Sequence, residues 1–323
     1  MTLERSDIEA AAQRVGPHLR RTPVLRLPAG EAGGLGLDYP VALKLEALQV
    51  TGSFKPRGAF NRILAAATRP ADPEAGVIAA SGGNHGVAVA HAARALGLRA
   101  EIFVPEATPE AKRALIEGHG ARLVVGGRDY QAAFEACQAR AAETGALLVH
   151  AYDQEEVVAG AGTLARELEA EAPDLTHVLV AVGGGGLLGG MLAWYAESGV
   201  EVIAVEPSNC PTLTCAMLAG KPVPAPVGGI AADSLGARRL GGIAFALAAR
   251  HLSRGVVVAD SAIAEAQRRL WHACRVVAEP GGATALAALI SGAWTPPEGA
   301  QVGVVICGAN ADPGSAVAAW PAA

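Results

Sequence analysis

The chain has 323 residues, of which 51% are hydrophobic, 18% charged and 4% aromatic, and 40 of them are glycine. That length and apolar content exclude a disordered chain and leave room for about two domains. A net charge of −5 without any run of lysine or arginine excludes the basic stripe that neutralises phosphates, so no nucleic-acid partner is expected.

The opening MTLERSDIEA carries charge at Glu4, Arg5, Asp7 and Glu9, where a signal peptide would be apolar, and this points to a cytoplasmic protein. From residue 41 short apolar runs alternate with stretches of helical pattern: VALKLE, residues 76–80, AEIFVP, ARLVVG and ALLVHA, then HVLVAV, VEVIAVEP, GVVVAD and QVGVVICG. The alternation predicts βαβ units, with a parallel sheet covered on both faces by small-residue helices such as VAVAHAARALG at 87–97. Residues 178–196 hold no charge and have the length of a membrane span. Four glycines at 183–186 interrupt them, each costing roughly 1 kcal/mol against alanine in a helix, so a strand, a loop and a helix are expected there and no membrane partner. Five cysteines (Cys137, Cys210, Cys215, Cys274, Cys307) without a C-x-x-C fit neither a disulfide framework nor a structural zinc site. The last apolar run, 302–307, lies close to the chain end, which leads us to expect no appended regulatory domain.

Four segments could carry chemistry. In TGSFKPRGA (51–59) Lys55 lies between a turn-forming glycine and a proline, beside apolar Phe54. An isolated lysine is usually solvated, but a desolvated one has a lowered pKa and serves as nucleophile or Schiff-base partner. ASGGNHG (80–86) follows an apolar run and opens a helix, so its N–H groups suit a carboxylate, although an ordinary capped turn reads the same way. VGGGGLLGG (182–190) is an anion cradle by position and composition. It also matches G-x-G-x-x-G at Gly184, Gly186 and Gly189, with Glu206 roughly 20 residues on, as an NAD(P)-dependent oxidoreductase would require. VVICGANAD (304–312) ends a strand at Cys307, where α/β sheets place ligands, yet standing alone a buried structural thiol is the more common reading.

Together with VEPS (205–208), EPGGA (279–283) and C-G-x-N, these segments lie in one order over nearly the whole chain. In that order the sequence resembles the pyridoxal-phosphate enzymes of the tryptophan synthase β-subunit fold, and within them the serine/threonine dehydratase family with its serine racemase relatives. The resemblance implies two open parallel-sheet α/β domains of fold type II: a large cofactor-binding domain from 1–67 and 152–323, and a small domain from 68–151. It implies pyridoxal 5'-phosphate as cofactor, a small amino acid as substrate and a homodimer. Lys55 would carry the cofactor beside Phe54, and Gly183, Gly184, Gly185, Gly186 and Leu187 would cradle its phosphate. Asn84 would bond the ring hydroxyl, Cys307 would face the pyridine nitrogen and Glu279 would complete the cofactor site. Ser81, Gly82, Asn84 and His85 would receive the substrate, with its carboxylate on Ser81, Asn84 and His85.

Two departures matter. Racemases of the family carry a serine at the position of Gly82, acting as acid/base on the face opposite the lysine, and glycine has no proton to deliver. Racemases and some dehydratases also hold a divalent cation through a Glu and an Asp after V-E-P-S-N; here Glu206 is present but Thr212 stands at the second position, so no metal is expected and Glu206 is only a weak candidate. The expected activity is an ammonia-lyase that eliminates water from threonine or serine to give a 2-oxo acid and ammonia, unresponsive to isoleucine or valine. Alternatives are a dehydratase for 3-hydroxyaspartate or phenylserine, a serine racemase, a non-catalytic amino-acid-binding protein and, more remotely, the oxidoreductase.

Overall fold

The computed structural model describes residues 3–67 and 75–312. The expected start of a small domain at residue 68 lies outside the described residues. Strands β1 (Val24–Leu27), β2 (Val41–Leu45), β7 (His177–Ala181), β8 (Glu201–Pro207), β9 (Arg254–Val258) and β10 (Val302–Ile306) form one sheet in the order β1-β2-β10-β7-β8-β9. A second sheet holds β3 (Val77–Ala80), β4 (Ala100–Val104), β5 (Arg122–Val125) and β6 (Leu147–Leu148) in the order β5-β4-β3-β6. Every pairing is parallel except β1 with β2.

The apolar runs became strands because parallel strands under helices on both faces need continuous aliphatic side chains, and β2, β7 and β10 are buried along their whole length. Edge strand β1 was not expected. Its VLRL lies between Pro23 and Pro28 and leaves Arg26 exposed, which suits an antiparallel edge and carries little apolar signal. Residues 178–196 divide into β7, a glycine loop and the helix Gly186–Tyr195. Among the described residues no helix is long and apolar enough to cross a membrane.

One core surrounds the larger sheet, and two others line the faces of the smaller one. The helix Lys55–Ala67 sends Ala59, Phe60 and Ile63 into a core of the smaller sheet, although its first residue follows β2 of the larger. The consequence for function is positional. Lys55 follows β2, Ser81 follows β3, Gly183 follows β7, Glu206 closes β8 and Cys307 follows β10, all at the carboxyl ends of parallel strands, where open α/β sheets hold ligands.

Candidate active site

The approach to Lys55 is a strained turn. Thr51 adopts φ +64° and Gly52 φ +73°, and a left-handed β-branched residue costs roughly 1–3 kcal/mol. The strain is held by Asn310, whose Nδ2 donates to the Thr51 carbonyl at 2.7 Å, and by Ala309 N, which donates to the Gly52 carbonyl at 2.9 Å. Lys55 then opens its helix, with Nζ donating to the Ala151 carbonyl at 2.8 Å and lying 5.0 Å from the Phe54 ring centroid. Burial lowers its pKa to about 8, against an opposing pull from Cys307 and Glu279.

Two residues along, Arg57 is fully buried and anchors the same turn. Its guanidinium binds Glu46 through Nε at 2.7 Å and Nη2 at 2.8 Å, Glu167 through Nη1 at 2.9 Å and Nη2 at 2.8 Å, and Thr163 Oγ1 at 3.0 Å. Burial opposes its charge, but the two carboxylates outweigh burial and raise its pKa. Buried Lys44 continues the network to Glu167 at 3.1 Å and Glu171 at 2.9 Å.

The turn after β3 forms the facing wall. Asn84 Nδ2 donates to Glu279 Oε1 at 2.6 Å, and its Oδ1 accepts from Asn310 Nδ2 at 2.8 Å. Burial raises the Glu279 carboxyl to about 7, with Asn84 pulling the other way. Ser81 Oγ accepts from Gly83 N at 3.2 Å. His85 Nε2 lies 2.9 Å from the Val149 carbonyl, and burial first, then the charge of Lys55, lowers its pKa to about 3. A neutral imidazole donates through one nitrogen only. Against the carbonyl that nitrogen is Nε2, so the donor His85 retains for a carboxylate is its main-chain N–H rather than its ring.

The glycine loop is shaped by close neighbours. A Cβ on Gly184 would lie 2.2 Å from the Tyr152 ring, and one on Gly183 2.9 Å from Leu235. Gly185 has φ +90° and no room beside Ala244, so only glycine serves there. The loop carbonyls are tied outward: Gly183 O accepts from Thr212 Oγ1 at 2.5 Å and Gly184 O from Gly241 N at 3.0 Å. The first N–H groups of the helix Gly186–Tyr195 have no partner within that helix, which suits an anion.

Further residues unite the wall around these. Tyr152 is the end of a ladder of rings through His150 and Phe134 to Tyr130, with centroids 4.8, 5.5 and 6.0 Å apart. Ser234 Oγ accepts from Gly281 N at 3.0 Å, at the start of the helix Pro280–Ile290. Cys307 is buried; its thiol donates to the Gly281 carbonyl at 3.4 Å, and burial pushes its pKa up, which keeps it neutral. Between residues of the two sheets' helices and loops, Lys112 pairs with Asp233 at 2.9 Å and Arg238 with Asp129 at 4.0 Å. Sequence reading did not single out Thr51, Thr108, Tyr152, Ser234 or Asp233, and only Asn310 carried a signal, through C-G-x-N.

Do these residues suit pyridoxal phosphate? The hydroxyls of Thr51 and Ser53 are buried beside Lys55 without a hydrogen-bond partner among the described residues, and such orphans cost about 1–3 kcal/mol each unless something polar meets them. A lysine of lowered pKa, a glycine cradle and unsatisfied hydroxyls form a set that fits an aldehyde bearing a phosphate. The pyridoxal-phosphate dependent enzyme family matches residues 15–308. The chain belongs to that family. The L-threonine ammonia-lyase of Geobacter sulfurreducens is 35% identical to this enzyme over 308 residues, 94% of this chain and 75% of that protein. The serine racemase of Oryza sativa subsp. indica is 31% identical over 315 residues, 95% of this chain and 91% of that one. The crystal structure of the T.th. threonine deaminase has a TM-score of 0.86 at 35% identity, covering 96% of this enzyme and 99% of that chain.

The oxidoreductase reading fails on Glu206, whose oxygens face the first turn of the helix Thr212–Ala219 instead of a ribose. Burial also raises its carboxyl above the usual range. For this pyridoxal-phosphate dependent enzyme the lowered amine gives a pH signature. At pH 8 about half of Lys55 is neutral, against about 0.3% for an ordinary lysine. If Lys55 is the amine that captures the cofactor, covalent capture by the apo-protein, followed by growth of the visible band, should rise with a midpoint of about 8. A midpoint near the ordinary lysine value, about 10, would contradict the burial argument.

Proposed function

We propose that the enzyme removes water from a small L-β-hydroxyamino acid, threonine or serine, and releases a 2-oxo acid and ammonia. The observation that carries this reading is a buried amine of lowered pKa, Lys55, in a site where the His85 ring is committed to Val149 and the Cys307 thiol is neutral. Similarity to L-threonine ammonia-lyase and to threonine deaminase supports it.

In this reading Lys55 holds the cofactor with Phe54 beside it, residues 183–187 receive its phosphate, and Asn84, Glu279 and Cys307 surround the ring. Bound there, pyridoxal phosphate supplies the electron sink that acidifies the α-proton of an amino acid. Main-chain N–H groups of the 81–85 turn, with Ser81 and Asn84, orient the substrate carboxylate. Lys55 Nζ, neutral in part near pH 7–8, accepts the α-proton as general base. A neutral thiol at Cys307 leaves the ring nitrogen without a strong charge partner, which suits prompt loss of the β-hydroxyl over longer-lived side chemistry. The released enamine hydrolyses in water. A cytoplasmic homodimer, as the family resemblance implies, completes the reading, and sedimentation velocity tests it.

A second reading, serine racemisation, is favoured by the rice relative and by the Thr108 hydroxyl beside Gly82. One experiment separates them. Purified enzyme is given L-threonine and L-serine, with 2-oxo acid and ammonia assayed in parallel with chiral chromatography. Equal yields of 2-oxo acid and ammonia, far above D-serine, are expected. D-serine exceeding pyruvate would overturn the assignment.

A further inference from the structure

Glu206 closes β8 with 1% of its surface exposed, and its oxygens are met by the opening turn of the helix Thr212–Ala219. Leu213 N donates to Oε1 at 2.6 Å, while Thr214 N and Oγ1 donate to Oε2 at 2.9 and 2.8 Å. Thr212 Oγ1 stands 3.3 Å from Oε1 and sends its one proton to the nearer Gly183 carbonyl at 2.5 Å. A carboxylate has about four acceptor sites, and three are taken here by Leu213 N, Thr214 N and Thr214 Oγ1. A hard divalent cation takes about six or more oxygens. This site offers one carboxylate that already holds three donors, a carbonyl already bonded and no second acid. Among the described residues, no three His, Cys, Asp or Glu side chains are grouped to hold a metal ion. The divalent cation that the family resemblance implies does not fit here.

We infer that Thr212 is a positioning residue: its hydroxyl clamps the Gly183 carbonyl, while Glu206 holds the N–H groups of Leu213 and Thr214 in the turn that carries Thr212, and together they fix the glycine loop to the end of β8. The peptide unit is planar and trans, so its C=O and the following N–H point in opposite directions. Clamping the Gly183 carbonyl turns the Gly184 N–H to the other side of the loop. The bond from Gly241 N to the Gly184 carbonyl does the same for Gly185 N–H. Two consecutive donors are thereby aimed before any anion arrives, and cofactor retention becomes independent of divalent cations. The inference rests on reading residues 183–187 as the phosphate cradle.

The test is titration of the apo-protein with pyridoxal phosphate and with pyridoxal, in EDTA or in Mg²⁺, for wild type, T212S, T212V and T212D. Wild type should prefer the phosphate ester and ignore both EDTA and Mg²⁺. T212V should bind the ester roughly tenfold more weakly, as expected for losing one buried hydrogen bond, and pyridoxal unchanged. T212S should return to within about twofold of wild type, since it keeps the hydroxyl. T212D, with a second carboxylate beside Glu206, should bind weakly in EDTA and recover in Mg²⁺. Wild type losing the ester in EDTA and regaining it with Mg²⁺, or T212V binding it like wild type, overturns the inference. If wild type holds pyridoxal as tightly as its ester, the cradle reading falls and takes this inference with it; discrimination kept in wild type and in T212V alike overturns the Thr212 role alone. Should T212V not fold, T212D carries the test, and its indifference to EDTA and Mg²⁺ would overturn the role.

Discussion

Replacing Lys55 with alanine is expected to remove the visible absorbance band of the bound cofactor, at about 410 nm for a protonated lysine linkage, and to lower turnover roughly 10³-fold or more. The loss is large because one side chain serves two purposes: among the described residues it is the amine next to the Thr51–Gly52 turn and the Ala151 carbonyl, and it is the proposed base. Affinity for free pyridoxal phosphate should fall less than turnover, since the glycine loop is fastened by Thr212 and Gly241 without help from Lys55. The fold should not suffer. A buried lysine with a depressed pKa destabilises the folded state wherever the same lysine is charged in the unfolded chain: the penalty grows as pH falls from about 10 to about 8 and is complete below about 8. At pH 7 the apo-protein of the alanine variant should therefore melt no lower than wild-type apo-protein. An alanine variant that still releases ammonia from threonine at the wild-type rate would sink the assignment.

Gly82→Ser alone is expected to leave racemisation near the wild-type level, whereas Gly82→Ser combined with Thr108→Ala should raise it on the order of 10²-fold, within the range for a positioned acid/base. By resemblance to the racemases, position 82 lies on the face opposite Lys55 and a serine there would deliver the proton. In this enzyme a Cβ at residue 82 would lie 2.9 Å from Thr108 Cγ2 and 3.0 Å from its Oγ1. Thr108 is 9% exposed, and its turn is pinned by its N–H to the Pro105 carbonyl at 3.0 Å and by Arg113 Nε to its own carbonyl at 2.8 Å. It has little freedom to swing aside. The double change opens that volume. Chiral chromatography of L-serine incubations, normalised to pyruvate, measures the ratio. A single Gly82→Ser variant that gains the full effect, or a double variant that gains nothing, would refute the steric argument.

Much of the fold was legible because parallel strands covered on both faces must be written in unbroken aliphatic runs, as β7 and β10 are. Edge strand β1 escaped for the opposite reason, since Arg26 is exposed and Val24 and Leu25 are only half-buried. Lys55, Asn84 and Cys307 were legible because each sits in a local word of turn and small residues. Thr212 was legible only as a missing acid after V-E-P-S-N, not as the partner of Gly183, and Thr108 and Tyr152 act through contacts with residues far along the chain that no local pattern announces. His85 shows the limit of motif reasoning. The resemblance assigns it to the substrate carboxylate, and only the Val149 carbonyl shows that its ring is engaged elsewhere and leaves the main-chain N–H for that purpose.

Ionic strength should act on this enzyme unevenly. Arg57, Lys44 and Glu46 have no exposed surface, so dissolved ions cannot come between them, and the base of Lys55 should stay in place in concentrated brine. The pairs Lys112–Asp233 and Arg238–Asp129 lie in water, where counterions weaken them. Salt therefore loosens the hold of one sheet's periphery on the other while leaving the lysine's root untouched, and a saline habitat would change how the cleft breathes before it changed the reacting amine.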